Sequence, residues 1–135
     1  MRRLLLDAGP LIALFYAKDS DHQVCLSGFQ QLIAEKVELI IPLPIVYEVN
    51  KWMLHNGGVP AARRAAMAME QSLTFLYVDE ALFDAVKVLQ GSIPNWVGTL
   101  EDATVAVVAL HHDCPVWTLN YRDLAAFQNL EFWNP

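Results

Sequence analysis

The stretch "LLLDAGPLIALF", Leu4 to Phe15, places one aspartate between two apolar runs. Arg3–Leu6 reads as a buried strand, because a short, continuous apolar run bounded by turn residues suits a strand covered on both faces. Pro10 favours the first helical position, so a short helix is expected to begin there. Asp7 therefore stands where a strand ends and a covering helix starts. It reads either as the cap of that helix or as the first member of an active site.

Working outward, the same alternation recurs along all 135 residues. His22–Glu35 reads as a helix with Asp21 as its N-cap, and Glu38–Ile41 as a short buried strand. Pro42 and Pro44 end that strand and open a helix through about His55. "HNGGVP" (His55–Pro60) is a break, and Ala61–Gln71 is helical. Leu73–Val78 reads as a strand, Glu80–Gln90 as a helix capped by Asp79, and "GSIPNWVG" (Gly91–Gly98) as a loop. Leu100–His111 is a helix, Pro115–Leu119 a strand, Arg122–Phe127 a short helix and Leu130–Trp133 a last strand. Strands alternating with helices predict an α/β fold in three layers, a central, mostly parallel sheet of 4–5 strands between helices, in a single domain over residues 1–135. In such sheets, sites form at the carboxyl ends of the strands.

Composition bounds the function. With 55% apolar and 18% charged residues, the chain carries enough apolar surface for a packed core. Its longest apolar stretches are broken by Asp7, Pro42, Pro44 and Glu48 before they reach membrane-spanning length. The expectation is a soluble, cytoplasmic protein with no membrane partner. Cys25 and Cys114 form no C-x-x-C pair, and with four scattered histidines they offer no zinc spacing; they read as buried thiols. His22, His55 and the His111-His112 pair read as surface residues. The net charge of −6 argues against a passive nucleic-acid binder but is compatible with carboxylates grouped around a cation.

Five oxygen-bearing residues follow the strands. Asp7 ends the first, and Glu48 lies in the helix after the second. Asp102 opens the long late helix, and Asn120 and Asp123 follow "VWTL". Each has a plainer reading. "TLED" reads as a capping box from Thr99 to Asp102, Asp123 reads as a helix cap, and Glu48 or the neighbouring Glu101 as solvated. Brought to one sheet edge, the carboxylates would repel and call for a cation, and oxygen-only ligands suit Mg²⁺ or Mn²⁺. The matching chemistry is phosphodiester hydrolysis, in which the metal orients water, lowers its pKa and neutralises charge on phosphate oxygens. The motifs of serine hydrolases, P-loop enzymes and dinucleotide-binding folds are absent. So are the paired acids and the lysine of a receiver-type phosphoacceptor.

"LLLDAGPLIALF", "IPLPIVYEV", "LEDATVAVVAL" and "VWTLNYRDLAAF" resemble, in order, the four acidic blocks of the PIN domain, over essentially the whole chain. The sequence is most similar to the single-domain, toxin-type members called VapC-like. The resemblance implies a Mg²⁺-dependent ribonuclease that leaves a 5′-phosphate and a 3′-hydroxyl, paired with a cognate antitoxin. It implies Asp7, Glu48 and Asp102 as metal ligands, with Asn120 or Asp123 in the fourth position and Thr118 orienting water or phosphate. Asn120 stands where many relatives carry an acid, which weakens the expectation of a second metal. Ala8-Gly9, where relatives often carry a hydroxyl, offers only backbone N–H groups.

Arg122, Lys51, Arg63 and Arg64 are the expected phosphate contacts. Trp52, Met53, Met67 and Met69 read either as core or as an exposed apolar hairpin; in toxin-type relatives the corresponding hairpin forms part of the dimer and antitoxin surfaces, so the resemblance implies a homodimer and a small antitoxin partner. Two rival readings remain: a DNA- or structure-specific nuclease using the same cation chemistry, and a catalytically silent binding module.

Overall fold

The computed structural model describes residues Met1–Pro135. Strand β1 (Arg3–Leu6) runs into helix α1 (Ala8–Phe15), then α2 (His22–Ala34), β2 (Glu38–Pro42) and α3 (Leu43–Gly57). There follow α4 (Val59–Ser72), β3 (Thr74–Leu76), α5 (Glu80–Gly91), α6 (Leu100–His112), β4 (Val116–Trp117) and α7 (Tyr121–Leu124). The sheet has four strands in the order β3-β2-β1-β4, all parallel. It is the expected α/β architecture, parallel throughout rather than mostly so.

β1 is central, pairing Leu5 with Ile40 of β2 on one side and with Val116 of β4 on the other. Leu4, Leu5 and Leu6 have no exposed surface at all, so both faces of β1 are covered by helices. Each such leucine contributes about 1.5–3 kcal/mol by burial. Only two ion pairs form: Lys87–Asp84 lies in the open, and Arg122–Asp123 is long at 3.9 Å. Such pairs contribute little, so core burial holds the fold.

Several boundaries differ from the sequence reading for local reasons. Helix α1 starts at Ala8, two residues before Pro10, because Asp7 is its N-cap and accepts a hydrogen bond from the Ala8 amide. Asp21 precedes α2 but makes no side-chain cap, since its backbone (φ −93°, ψ 6°) is not extended as a capping residue's is. The break at "HNGGVP" narrows to one residue, Gly58, whose φ of +88° only glycine adopts without strain. The expected last strand, Leu130–Trp133, is a single parallel bridge from Phe132 to Val116. His22 is half-buried, its Nδ1 2.7 Å from the Ala13 carbonyl oxygen, rather than a free surface residue. Cys25 and Cys114 are buried free thiols, as expected.

The chain terminus closes over β4. Trp117 packs edge-on against Trp133 and lies against Phe29 of α2, with ring centroids 5.0 and 4.6 Å apart. Gly28 makes this possible: a Cβ there would lie 2.7 Å from Trp117 Cη2 and 3.1 Å from Pro135 Cβ. Gly28→Ala is therefore expected to destabilise the protein by about 1–3 kcal/mol through overpacking. Chemical denaturation would show this as a lower midpoint with an unchanged slope.

Candidate active site

In an open parallel sheet, the crevice forms where the strand order reverses direction, outside the carboxyl ends. Here that point lies between β1 and β4. Asp7 follows β1 and Thr118 follows β4, and the two chains are tied there by a 3.0 Å hydrogen bond from the Asp7 amide to the Trp117 carbonyl. Gly9 lets the start of α1 approach the β4 exit, since a Cβ there would sit 3.0 Å from Leu119 Cβ.

Asp7 is 5% exposed and both its oxygens are engaged. Oδ1 accepts from the Ala8 amide at 2.9 Å, and Oδ2 accepts from the Thr118 hydroxyl at 2.7 Å. Burial nevertheless raises its pKa above the ordinary carboxylate value; the two hydrogen bonds work against the shift and the nearby Asp102 charge adds to it. Thr118 is fully buried, and its oxygen also accepts from the Asn120 amide at 2.9 Å. Its hydroxyl is engaged inside the protein, on Asp7 and the Asn120 amide. It orients Asp7.

Asp102 is placed by the capping box that "TLED" spells. Its amide donates to Thr99 Oγ1 at 3.1 Å, and its Oδ2 accepts from the Thr99 amide at 3.0 Å. That leaves Oδ1, which faces Asn120 Nδ2 at 3.4 Å. The same Nδ2 donates to Asp123 Oδ2 at 3.1 Å. Two carboxylate acceptors require a donor between them, so Asn120 meets the acids with its amide nitrogen. Asn120 is a neutral link between Asp102 and Asp123, with its amide nitrogen turned to both acids.

Glu48, on α3, completes the cluster from the side. Its side chain keeps contact with solvent, yet surrounding protein partly desolvates its charge, and Asp7, Glu101 and Asp102 add like charge. Burial first, then those charges, push its pKa up to about 7. Glu101 is the residue the sequence reading passed over as solvated. Its position beside Asp102 in the first turn of α6 was the available signal.

The donors are all hard oxygens, the set that suits Mg²⁺ or Mn²⁺. No three acidic, histidine or cysteine side chains close into a metal cage. A Mg²⁺ ion needs only one or two carboxylates, because water and phosphate oxygens complete its shell. Arg122 reaches the cluster's edge beside Asp123. Lys51, Arg63 and Arg64 are exposed on α3 and α4 and touch none of these acids.

The crowding predicts a pH dependence. In the absence of divalent cations, Glu48 binds its proton more tightly in the folded than in the unfolded chain. Stability from this group is present below about pH 4.5 and is lost as pH rises towards 7. Glu48→Gln is expected to flatten that decline in a Tm-against-pH series recorded with a chelator.

No protein-family model and no curated protein matches the sequence. Solved structures do. VapC20 of Mycobacterium tuberculosis, described as a sarcin-ricin-loop-cleaving toxin, is 17% identical, with a TM-score of 0.82 over 98% of this chain and 99% of that one. A chain of VapBC2 from Rickettsia felis, solved on a promoter DNA fragment, is 11% identical, with a TM-score of 0.78 over 98% of each chain. FitAcB from Neisseria gonorrhoeae is 17% identical, with a TM-score of 0.67 over 98% and 97%. Over nearly its whole length, the chain has the fold of the VapC and FitB PIN-domain toxins.

Proposed function

We propose that this protein is a metal-dependent endoribonuclease and the toxin of a toxin–antitoxin pair. The observation that carries the reading is the convergence of Asp7, Glu48, Glu101 and Asp102, from three separate elements, at the switch point of the sheet. Their mutual repulsion there has no structural benefit, and a divalent cation relieves it. Asp7, Glu48 and Asp102 would hold Mg²⁺ or Mn²⁺. When bound, the ion supplies activation of water and neutralisation of charge on the phosphate.

The remaining roles belong to the chain. Thr118 and the Ala8 amide fix both oxygens of Asp7, so its orientation is set before substrate arrives. The Thr99 capping box fixes one oxygen of Asp102 and leaves the other facing the cleft. Glu48 or Asp102 would also orient the attacking water. Asp123, spaced from Asp102 by Asn120, stands beside Arg122 at the entrance. Arg122, Lys51, Arg63 and Arg64 supply the positive charge that a −6 protein needs to hold RNA.

Tyr47, Leu54, Val59 and Met67 are 44–65% exposed on the α3–α4 hairpin, whereas Met53 and Met69 are core. An apolar surface of this kind supports the homodimer and a protein partner. Light scattering is expected to give twice the chain mass, and a monomer would remove the dimer claim. Co-expression with the product of a neighbouring short reading frame should suppress cleavage.

The decisive variant is Asp7→Asn. Asparagine is as good an N-cap and removes a buried charge, so Tm should hold or rise. Cleavage of RNA in Mg²⁺ should fall by at least about 10³-fold. Wild-type rates in the variant would refute the assignment. Parallel RNA and DNA substrates decide between a ribonuclease and a DNA nuclease. One observation favours a silent binding module instead: the fourth block presents a nitrogen where an acid is expected. That reading requires both no Mg²⁺ heat in calorimetry and no cleavage.

A further inference from the structure

The loop between α5 and α6, residues 92–99, carries a tryptophan. Trp96 is half-buried and packs against two separate groups. One is the small cluster of Val86, Ala103 and Val107 between α5 and α6. The other is the main core, where its ring meets Phe127 edge-on at 5.0 Å. Its Nε1 donates to the backbone carbonyl of Asp123 at 2.9 Å.

Helix α7 needs such support. It is four residues long, has no side-chain N-cap, and its Leu124 amide reaches the Asn120 carbonyl only at 3.4 Å. A single turn does not hold itself, and its last carbonyls have no partner within the helix. The indole N–H satisfies one of them, that of Asp123. The loop is shaped to deliver the ring: a Cβ on Gly98 would lie 2.0 Å from Trp96 Cζ2, so that position has room only for glycine. Two residues past Gly98, α6 begins at Leu100, and its Ala103 and Val107 belong to the small cluster that Trp96 packs against.

We propose that Trp96 is a positioning residue that clamps the backbone of Asp123 to the start of α6 and so fixes the separation of the Asp102 and Asp123 carboxylates. The proposal rests on the nuclease reading for its consequence but not for its geometry. Trp96→Phe keeps an aromatic ring and removes the donor. Gly98→Ala keeps the indole intact and displaces it.

The test uses the full chain and compares both variants, and their combination, with wild type. Both are expected to speed amide exchange at Leu124 and Ala125 by about tenfold while α1 and α3 keep wild-type protection. Mn²⁺ affinity should fall severalfold, and kcat on RNA by about tenfold with KM nearly unchanged, the signature of misplaced groups. The double variant should be no worse than the more affected single one, because both remove the same contact. Unchanged exchange at Leu124 and Ala125 would overturn the proposal. So would a loosening shared equally by the whole chain, which would make Trp96 an ordinary core residue. If wild type neither binds Mn²⁺ nor cuts RNA, the nuclease reading fails, and the exchange comparison alone decides the clamp.

Discussion

The structure turns on a buried carboxylate held from two sides. Asp7 sits where β1 stops pairing and α1 begins, and its oxygens are divided between the Ala8 amide and the Thr118 hydroxyl. The first bond starts a helix and the second ties β1 to the exit of β4. An apolar residue of similar size would cost the cap and leave the Thr118 hydroxyl without its acceptor. The alternative readings of Asp7, helix cap or active-site acid, are therefore not exclusive. One oxygen serves the fold and both together aim the group.

The same economy recurs at Asp102, where one oxygen closes a capping box and the other faces the cleft. Acids that double as caps are positioned by backbone, which is stiffer than any side-chain partner. The remaining tension is electrostatic. Glu48 is held in the company of Asp7, Glu101 and Asp102; burial first, and then their like charge, raises its pKa. Protein structure alone would disperse these charges. Their concentration at the switch point of the sheet is the kind of stability cost that the proposed nuclease site would explain.

Much of this was legible in the residues. The run Leu4–Leu6 with no polar alternation required a strand covered on both faces, and "TLED" spelled its own cap. Asp7 could be singled out because it ends a strand, Glu48 because it lies in an apolar helix after one, and Asp102 because it opens the long late helix. What local rules do not give are the long-range contacts. The Thr118 hydroxyl is spent on a residue 111 positions away. Two carboxylates that are not its chain neighbours turn the Asn120 amide nitrogen towards them. Leu130–Trp133 has strand-like residues, but the edge of β4 offers only Val116 as a pairing partner.

The sequence by itself determined the alternation of strands and helices, the parallel sheet, and the acids at the strand ends. These follow from hydrophobic period and from capping chemistry, both of which act over a few residues. Only the tertiary structure decided which atoms of those residues face the cleft, that Glu101 joins them, and that Trp96 of a distant loop holds Asp123 in place. Those outcomes depend on the strand order β3-β2-β1-β4, which brings β4 beside β1 across more than a hundred residues. No local pattern encodes that adjacency; it follows from packing the whole chain around one buried strand.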